Sequence, residues 1–226
     1  LLGSAAQAAT CADEAVRRAE ASRRPFDTAY ANCFAAMLEN LRRDAARAAH
    51  HAGVTLEISQ RHGFGVWLAA GAMQLGIAKV GLGAPQEAIA LLGGTLPAWR
   101  ASGAELNSGF FMAGLAAAQF VSGDVELAIA TITQAIEHAE RHRERFVDAE
   151  LYRQRGEMQA GRDPARSLAD GERALEIARR QGARLLALRA AHDEARHLVD
   201  AGERDRAEAV LADALAAADG AADTAE

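Results

Sequence analysis

The chain alternates apolar helical stretches with short polar or glycine breaks, and the breaks are regularly spaced. Gly3, Arg43, Gly83, Gly123, Gly161 and Gly202 lie about 40 residues apart, each closing one apolar stretch just before the next begins. Five residues after most of them stands an alanine: Ala8, Ala48, Ala88, Ala128 and Ala207. The unit at Gly161 departs from this, with Ala165 and Ser167 nearby, so its loop Gly161-Arg162-Asp163-Pro164 is expected to have an altered length. A second set of breaks, Arg23, Gly63, Gly103, Glu144 and Gly182, follows the alanines and closes charged helix ends such as Arg179-Arg180-Gln181-Gly182. Cations in a last turn followed by glycine are a helix-stop signature. The pattern predicts helices over 5–22, 26–41, 44–61, 64–82, 85–101, 105–122, 125–142, 145–160, 164–181, 183–200 and 204–218.

These pair into helix-turn-helix units of about 40 residues. Full repeats are expected over 25–63, 64–103, 104–144, 145–182 and 183–218, with a first repeat truncated to 1–24 and a tail at 219–226. The opening Leu1-Leu2-Gly3 reads as the end of a helix, which leaves 5–22 without its partner. The expectation is one all-α domain, a right-handed α-solenoid of about five and a half repeats. Pro85 and Pro164 fall at helix starts, where a missing N–H costs nothing, whereas Pro97 falls late in its helix and should bend or end it.

Composition supports the helical reading and narrows the function. Half the residues are hydrophobic, only 5% are aromatic, and there are four prolines. Alanine is abundant and is the best helix former. The net charge of −6 argues against a nucleic-acid-binding surface, because arginines alternate with Glu and Asp as on solvated helix faces. Cys11 and Cys33 each lie in an apolar stretch and read as buried free thiols in a reducing, cytoplasmic compartment. The most apolar run, Phe64 to Val80, is rich in Gly and Ala and contains Gln74, so it reads as a buried helix and not a membrane span.

Small residues recur where paired helices must cross closely. Leu75-Gly76 with Ala88, and Leu115-Ala116 with Ala128 and Ala135, match the small positions of the tetratricopeptide (TPR) repeat, and the unit resembles a long-helix variant of it. Residues 63–216 bear a closer resemblance. It rests on Gly63-Phe64-Gly65-Val66-Trp67-Leu68-Ala69, on Ala98-Trp99-Arg100-Ala101-Ser102-Gly103-Ala104-Glu105-Leu106, on Asp148-Ala149-Glu150-Leu151-Tyr152-Arg153 with Gly156-Glu157, and on Ala174-Leu175-Glu176-Ile177-Ala178-Arg179-Arg180-Gln181-Gly182-Ala183. These strings are similar to the C-terminal repeat regions of multidomain bacterial signalling proteins. Such proteins carry a class III adenylate or guanylate cyclase domain, or a LuxR-type helix-turn-helix, around a central ATPase. The resemblance implies a regulatory or scaffolding segment. The chain has no GxxxxGK[ST] loop and no helix-turn-helix with a basic recognition face, so no catalytic residue and no cofactor carries over.

Candidate chemistry is sparse. His138 and His142 have a spacing that can place two imidazoles on a metal, but no third ligand is near in sequence and the neighbours are those of a solvated face. His50-His51 point different ways, and His192 and His197 share a face poorly. Asp193-Glu194 reads as a charged helix face and Gly93-Gly94 as a weak point in a helix. Trp67 and Trp99 read as packing. The stronger expectation is the concave surface lined by the first helix of each repeat. Its inward positions are Tyr30, Cys33, Phe34 and Met37, then Met73, Ile77 and Val80, then Phe110 and Phe120, then Tyr152, Arg153, Arg189, His192 and Arg196. That lining passes from apolar to basic, with the partner expected on the middle repeats around Met73, Ile77, Phe110 and Phe120. An apolar groove takes a partner helix or peptide, and a basic end suits carboxylates. The expected function is therefore a non-catalytic module that binds a partner protein, a peptide, other domains of its own chain, or a second copy. The alternative is a small-ligand sensor holding an inducer in the groove.

Overall fold

The computed structural model describes residues 5–219. Among them are eleven α-helices and no strand. They are α1 (Ala5–Ala21), α2 (Pro25–Arg42), α3 (Ala45–His62), α4 (Gly65–Gly81), α5 (Pro85–Ala101), α6 (Ser108–Val121), α7 (Val125–His142), α8 (Asp148–Gln159), α9 (Pro164–Gln181), α10 (Arg184–Asp200) and α11 (Arg204–Asp219), with a 3-10 turn at Arg145–Val147 before α8. Leu1-Leu2-Gly3 and most of the tail lie outside the described residues. No described helix is long and apolar enough to cross a membrane.

The spacing of the breaks has a backbone cause. Arg23, Arg43, Gly63, Gly83, Gly103, Gly123, Arg143, Gly182 and Gly202 all adopt a left-handed conformation, with φ between 56° and 92°. Such a residue turns the chain out of one helix and frees it to enter the next. Side chains then cap the entries: Asp44 accepts from the Arg47 N–H and Asp163 from the Arg166 N–H, both at 3.0 Å.

Two boundaries differ from the expectation. α6 begins at Ser108 and not at 105, because Asn107 takes the left-handed conformation (φ 61°) and residues 102–107 form a linker. α8 begins at Asp148, after the 3-10 turn. Pro97 does not end α5, which runs on to Ala101. The carbonyl deprived of its partner belongs to Gly93, four residues earlier. Gly93, Gly94 and Pro97 are all exposed, so water can satisfy that carbonyl.

Contacts divide the chain into two compact units, one ending at Thr131 and the other beginning at Ile132. In the first, α1 to α6 pack each on the next in sequence, and α4 also packs on both α2 and α6. In the second, α8 to α11 pack in order and α8 also meets α10. First helices thus stack on first helices, the arrangement that buries a helix pair's second apolar face. Ala48, Ala88 and Ala128 are completely buried and Ala207 nearly so. The unit at Gly161 preserves the same contact by other means. Ser167 stands four residues after the cap Asp163 and donates its hydroxyl to the Gly156 carbonyl at 2.8 Å, and a Cβ on Gly156 would lie 3.0 Å from the Ser167 carbonyl oxygen. Gly76 is also a close-contact position. The atoms that bar a Cβ there belong to Leu92 and Leu91, not to the expected Ala88.

The cysteines separate. Cys33 is buried, and burial pushes its thiol up to about 12, whereas Cys11 is exposed, contrary to the sequence expectation. α1 buries no residue fully, so an apolar stretch there does not imply a buried thiol. One thiol per native chain should therefore react promptly with a thiol-disulfide reagent at neutral pH, and the second only on unfolding. Two equally fast thiols in the folded protein would contradict this placement.

Candidate functional site

The candidate site lies in the unit that ends at Thr131. α2 carries Phe26, Tyr30 and Phe34 at successive i, i+4 positions, which sets three aromatic rings along one helix face. They remain 49%, 47% and 40% exposed. Trp67, from the start of α4, stands against all three, with ring centroids 5.9, 5.1 and 6.3 Å away and steep interplanar angles. Phe64 meets Phe26 edge-on at 5.4 Å, and His62 stacks on Phe64. Edge-to-face pairs stabilise one another by ~0.5–1.5 kcal/mol beyond simple burial, so these rings hold their places while leaving much of their area to solvent.

Phe34 and Trp67 also border a cavity of about 230 Å³. Its other walls come from Cys33 and Met37 of α2, Val66, Ala70 and Gln74 of α4, Trp99 of α5, Phe111 of α6, and Ala104, Leu106 and Asn107 of the 102–107 linker. The surface presented to the cavity is almost entirely carbon. Gln74 is 1% exposed and its Oε1 accepts from Asn40 Nδ2 at 2.8 Å. Burial keeps the Cys33 thiol protonated. Trp99 packs edge-on to Phe111 at 6.0 Å, and its buried Nε1 finds no acceptor among the described residues.

The expected concave residues divide. Tyr30 and Phe34 are exposed and Met37 is half-buried, and Phe34 and Met37 line the cavity. Met73 is fully buried and Phe110 is 8% exposed, so both are core and not groove floor. Ile77 is half-buried, and its side chain closes over Gly114 of α6, where a Cβ would come within 2.5 Å of Ile77 Cγ1. Phe120 is half-buried. The stacking of α2, α4 and α6 closes the middle positions, and the open apolar surface lies at the first full repeat.

In the unit beginning at Ile132 one member of the expected basic lining, Arg153, is internally neutralised. Arg153 is 6% exposed. It donates to Glu150 at 2.7 and 3.0 Å, to Glu157 at 3.1 Å and to Asp193 at 2.5 Å. Burial alone would lower its pKa, but Glu150, Asp193 and Glu157 outweigh that and hold the guanidinium above its ordinary value. Burial likewise works against the Asp193 carboxylate, yet Arg153 beside it and a hydrogen bond from His192 bring it below its usual range. Arg153 is therefore a packed charge, not a free carboxylate receptor. The Tyr152 hydroxyl donates to Glu140 at 3.1 Å and the Arg155 guanidinium lies over its ring. Arg189 is half-buried, and His192 and Arg196 are exposed. His192 faces Asp193, His197 faces Ser167, and His138 and His142 stack ring on ring at 4.2 Å. Asp193-Glu194 is not the solvated face expected from the sequence: Glu194 is buried and raised by that burial, and the half-buried Asp193 holds Arg153.

Sequence reading missed Phe26 and Trp67 as members of this surface. The i, i+4, i+8 spacing of Phe26, Tyr30 and Phe34 was a signal for the first. Trp67 carries no such signal, because only the packing of α4 on α2 places it among them.

No family model matches the chain, and no curated protein matches it. Its likeness is to solved structures. BtubC from P. vanneervenii has a TM-score of 0.67 at 18% identity, over 99% of this chain and 94% of that one. The apo form of RapI has a TM-score of 0.70 at 13% identity, over 92% and 75%. A putative kinesin light chain from Podosopora anserina with TPR-like repeats has a TM-score of 0.59 at 16% identity, over 83% and 93%. At these identities the likeness is one of fold. The protein has the TPR-like helical-repeat fold.

Proposed function

We propose that the chain is a non-catalytic interaction module whose binding surface is the aromatic face of α2 and α4. The single observation that carries this reading is the set Phe26, Tyr30 and Phe34, each 40% exposed or more and ordered around Trp67. The rings pack edge-to-face on Trp67 and stay open to solvent, and aromatic anchors are what interface hot spots are made of. The occupant is an apolar segment of a partner protein, a peptide, or another domain of the parent chain. The resemblance of residues 63–216 supports a cytoplasmic bacterial signalling parent of the cyclase–ATPase or LuxR-type class. Tyr152, Arg189, His192 and Arg196 lie in the other unit and are not part of this proposed surface.

The test selects peptides from a displayed random library on the intact chain and measures their affinity by fluorescence anisotropy. Tyr30→Ser with Phe34→Ser should weaken selected peptides at least about tenfold, as expected for loss of two anchors, while Val199→Ser on the other unit leaves affinity unchanged. Sedimentation of the same proteins shows whether a second copy occupies the face instead. Peptides that bind the folded double variant as tightly as the parent would overturn the assignment.

A further inference from the structure

The cavity beside Trp67 has a chemistry of its own. Among the described residues no Asp, Glu, Lys, Arg or His lines it, and its wall is almost wholly carbon. Water gains little in such a space, since an ordered water needs two to four polar partners, and apolar cavities of ~150 Å³ stay dry and take up benzene. At about 230 Å³ this cavity has room for somewhat more. A charged ligand would lose its hydration there and meet no counter-ion. Access is also legible. The linker 102–107 that contributes Ala104, Leu106 and Asn107 to the wall spans six residues, against two to four for the uninterrupted links between other neighbouring helices. Leu106, Val66 and Phe34 border the cavity yet are 68%, 60% and 40% exposed, so the cavity opens to solvent along these residues.

We infer that this cavity is a binding site for a compact, neutral, apolar small molecule: an aromatic ring with a short alkyl substituent, or a branched aliphatic group of similar bulk. The site does not depend on a peptide partner. It uses the inner walls of α2, α4, α5 and α6, and its ligand makes no ion pair and no obligatory hydrogen bond. Shape and apolar burial alone select the ligand, so related hydrocarbons should bind with affinities that follow size up to the point where they no longer fit.

The test uses the protein's own fluorophores. Trp67 and Trp99 are the only two tryptophans of the chain, and both line the cavity. Toluene and ethylbenzene are titrated into the full chain while tryptophan emission is recorded with excitation at the red edge of the indole band. Benzoate serves as the charged counterpart. The expected result is a saturable shift of emission and a rise in thermal midpoint with both hydrocarbons, and neither change with benzoate. Ala104→Leu fills the cavity from the linker and should abolish the saturable response while helical circular dichroism is retained. Should that variant lose its helical signal, Val66→Phe, which fills the space from a position 60% exposed, replaces it with the same expected loss. A strictly linear response to toluene, an equal response to benzoate, or a saturable response that survives in a folded filling variant overturns the assignment. None of these outcomes bears on whether peptides bind the outer aromatic face.

Discussion

Replacing Asp170 by Ala is expected to lower the unfolding free energy by about 3–5 kcal/mol, one of the largest effects of any single substitution in the second unit. Asp170 of α9 receives a two-pronged contact from Arg155 of α8, with Nε on Oδ2 and Nη2 on Oδ1 both at 2.7 Å. The two side chains are only 8% and 7% exposed. The hydrogen bond from Arg155 to Asp170 is the largest reason that its guanidinium stays above its ordinary pKa. Removing the carboxylate leaves a cation that can neither reach water nor lose its proton, and that stranded charge is the source of the cost. The paired change Arg155→Met with Asp170→Leu removes both desolvation penalties and should come out near neutral. Urea titration of the three proteins measures this. A loss below about 1 kcal/mol for Asp170→Ala would mean that the arginine finds water after all. Transitions in such a chain need not be all-or-none, because repeats contact mainly their neighbours, so the comparison uses the phase assigned to α8–α11.

Leu92→Ala should cost about 2–5 kcal/mol and at the same time change what Gly76 tolerates. Leu92 is fully buried in α5, and a Cβ on Gly76 of α4 would stand 2.8 Å from its Cγ. In the parent protein Gly76→Ala therefore drives a methyl into a branch carbon, at about 1–3 kcal/mol. In the Leu92→Ala background that carbon is gone, and the nearest remaining obstacle is Leu91 Cβ at 3.3 Å. There Gly76→Ala should be neutral or stabilising by ~0.5–1 kcal/mol, through the helix preference of Ala over Gly. The double-mutant cycle should thus show a coupling larger than about 1 kcal/mol. Additive effects would place Gly76 away from Leu92 and break the assigned register.

The helices and their order were legible because their signals are local. A left-handed residue, a capping aspartate and an N-terminal proline each act within one turn, and the left-handed residues recur at a nearly constant interval. The exceptions show the limit of local signals. Asn107 ends the preceding turn with no glycine to mark it, and Pro97 stays inside α5 because its freed carbonyl is exposed. Cys11 and Cys33 both sit in helical stretches with many apolar residues, yet only Cys33 is buried, since burial needs neighbours from other helices.

The candidate site divides along the same line. Sequence alone determined the all-α repeat, the face of α2 that carries Tyr30 and Phe34, and the lack of recognisable catalytic motifs. Periodicity and small-residue spacing are properties of the chain itself. Only the tertiary structure decided that Met73 and Phe110 are core, that Arg153 is surrounded by its own carboxylates, and that Trp67 and Trp99 wall a carbon-lined cavity. The physical reason is that burial and charge balance depend on what a second and third helix bring within a few ångströms. A repeat pattern states which side of a helix is apolar, but whether that side ends up as core, surface or pocket is set by how closely the neighbouring helices approach.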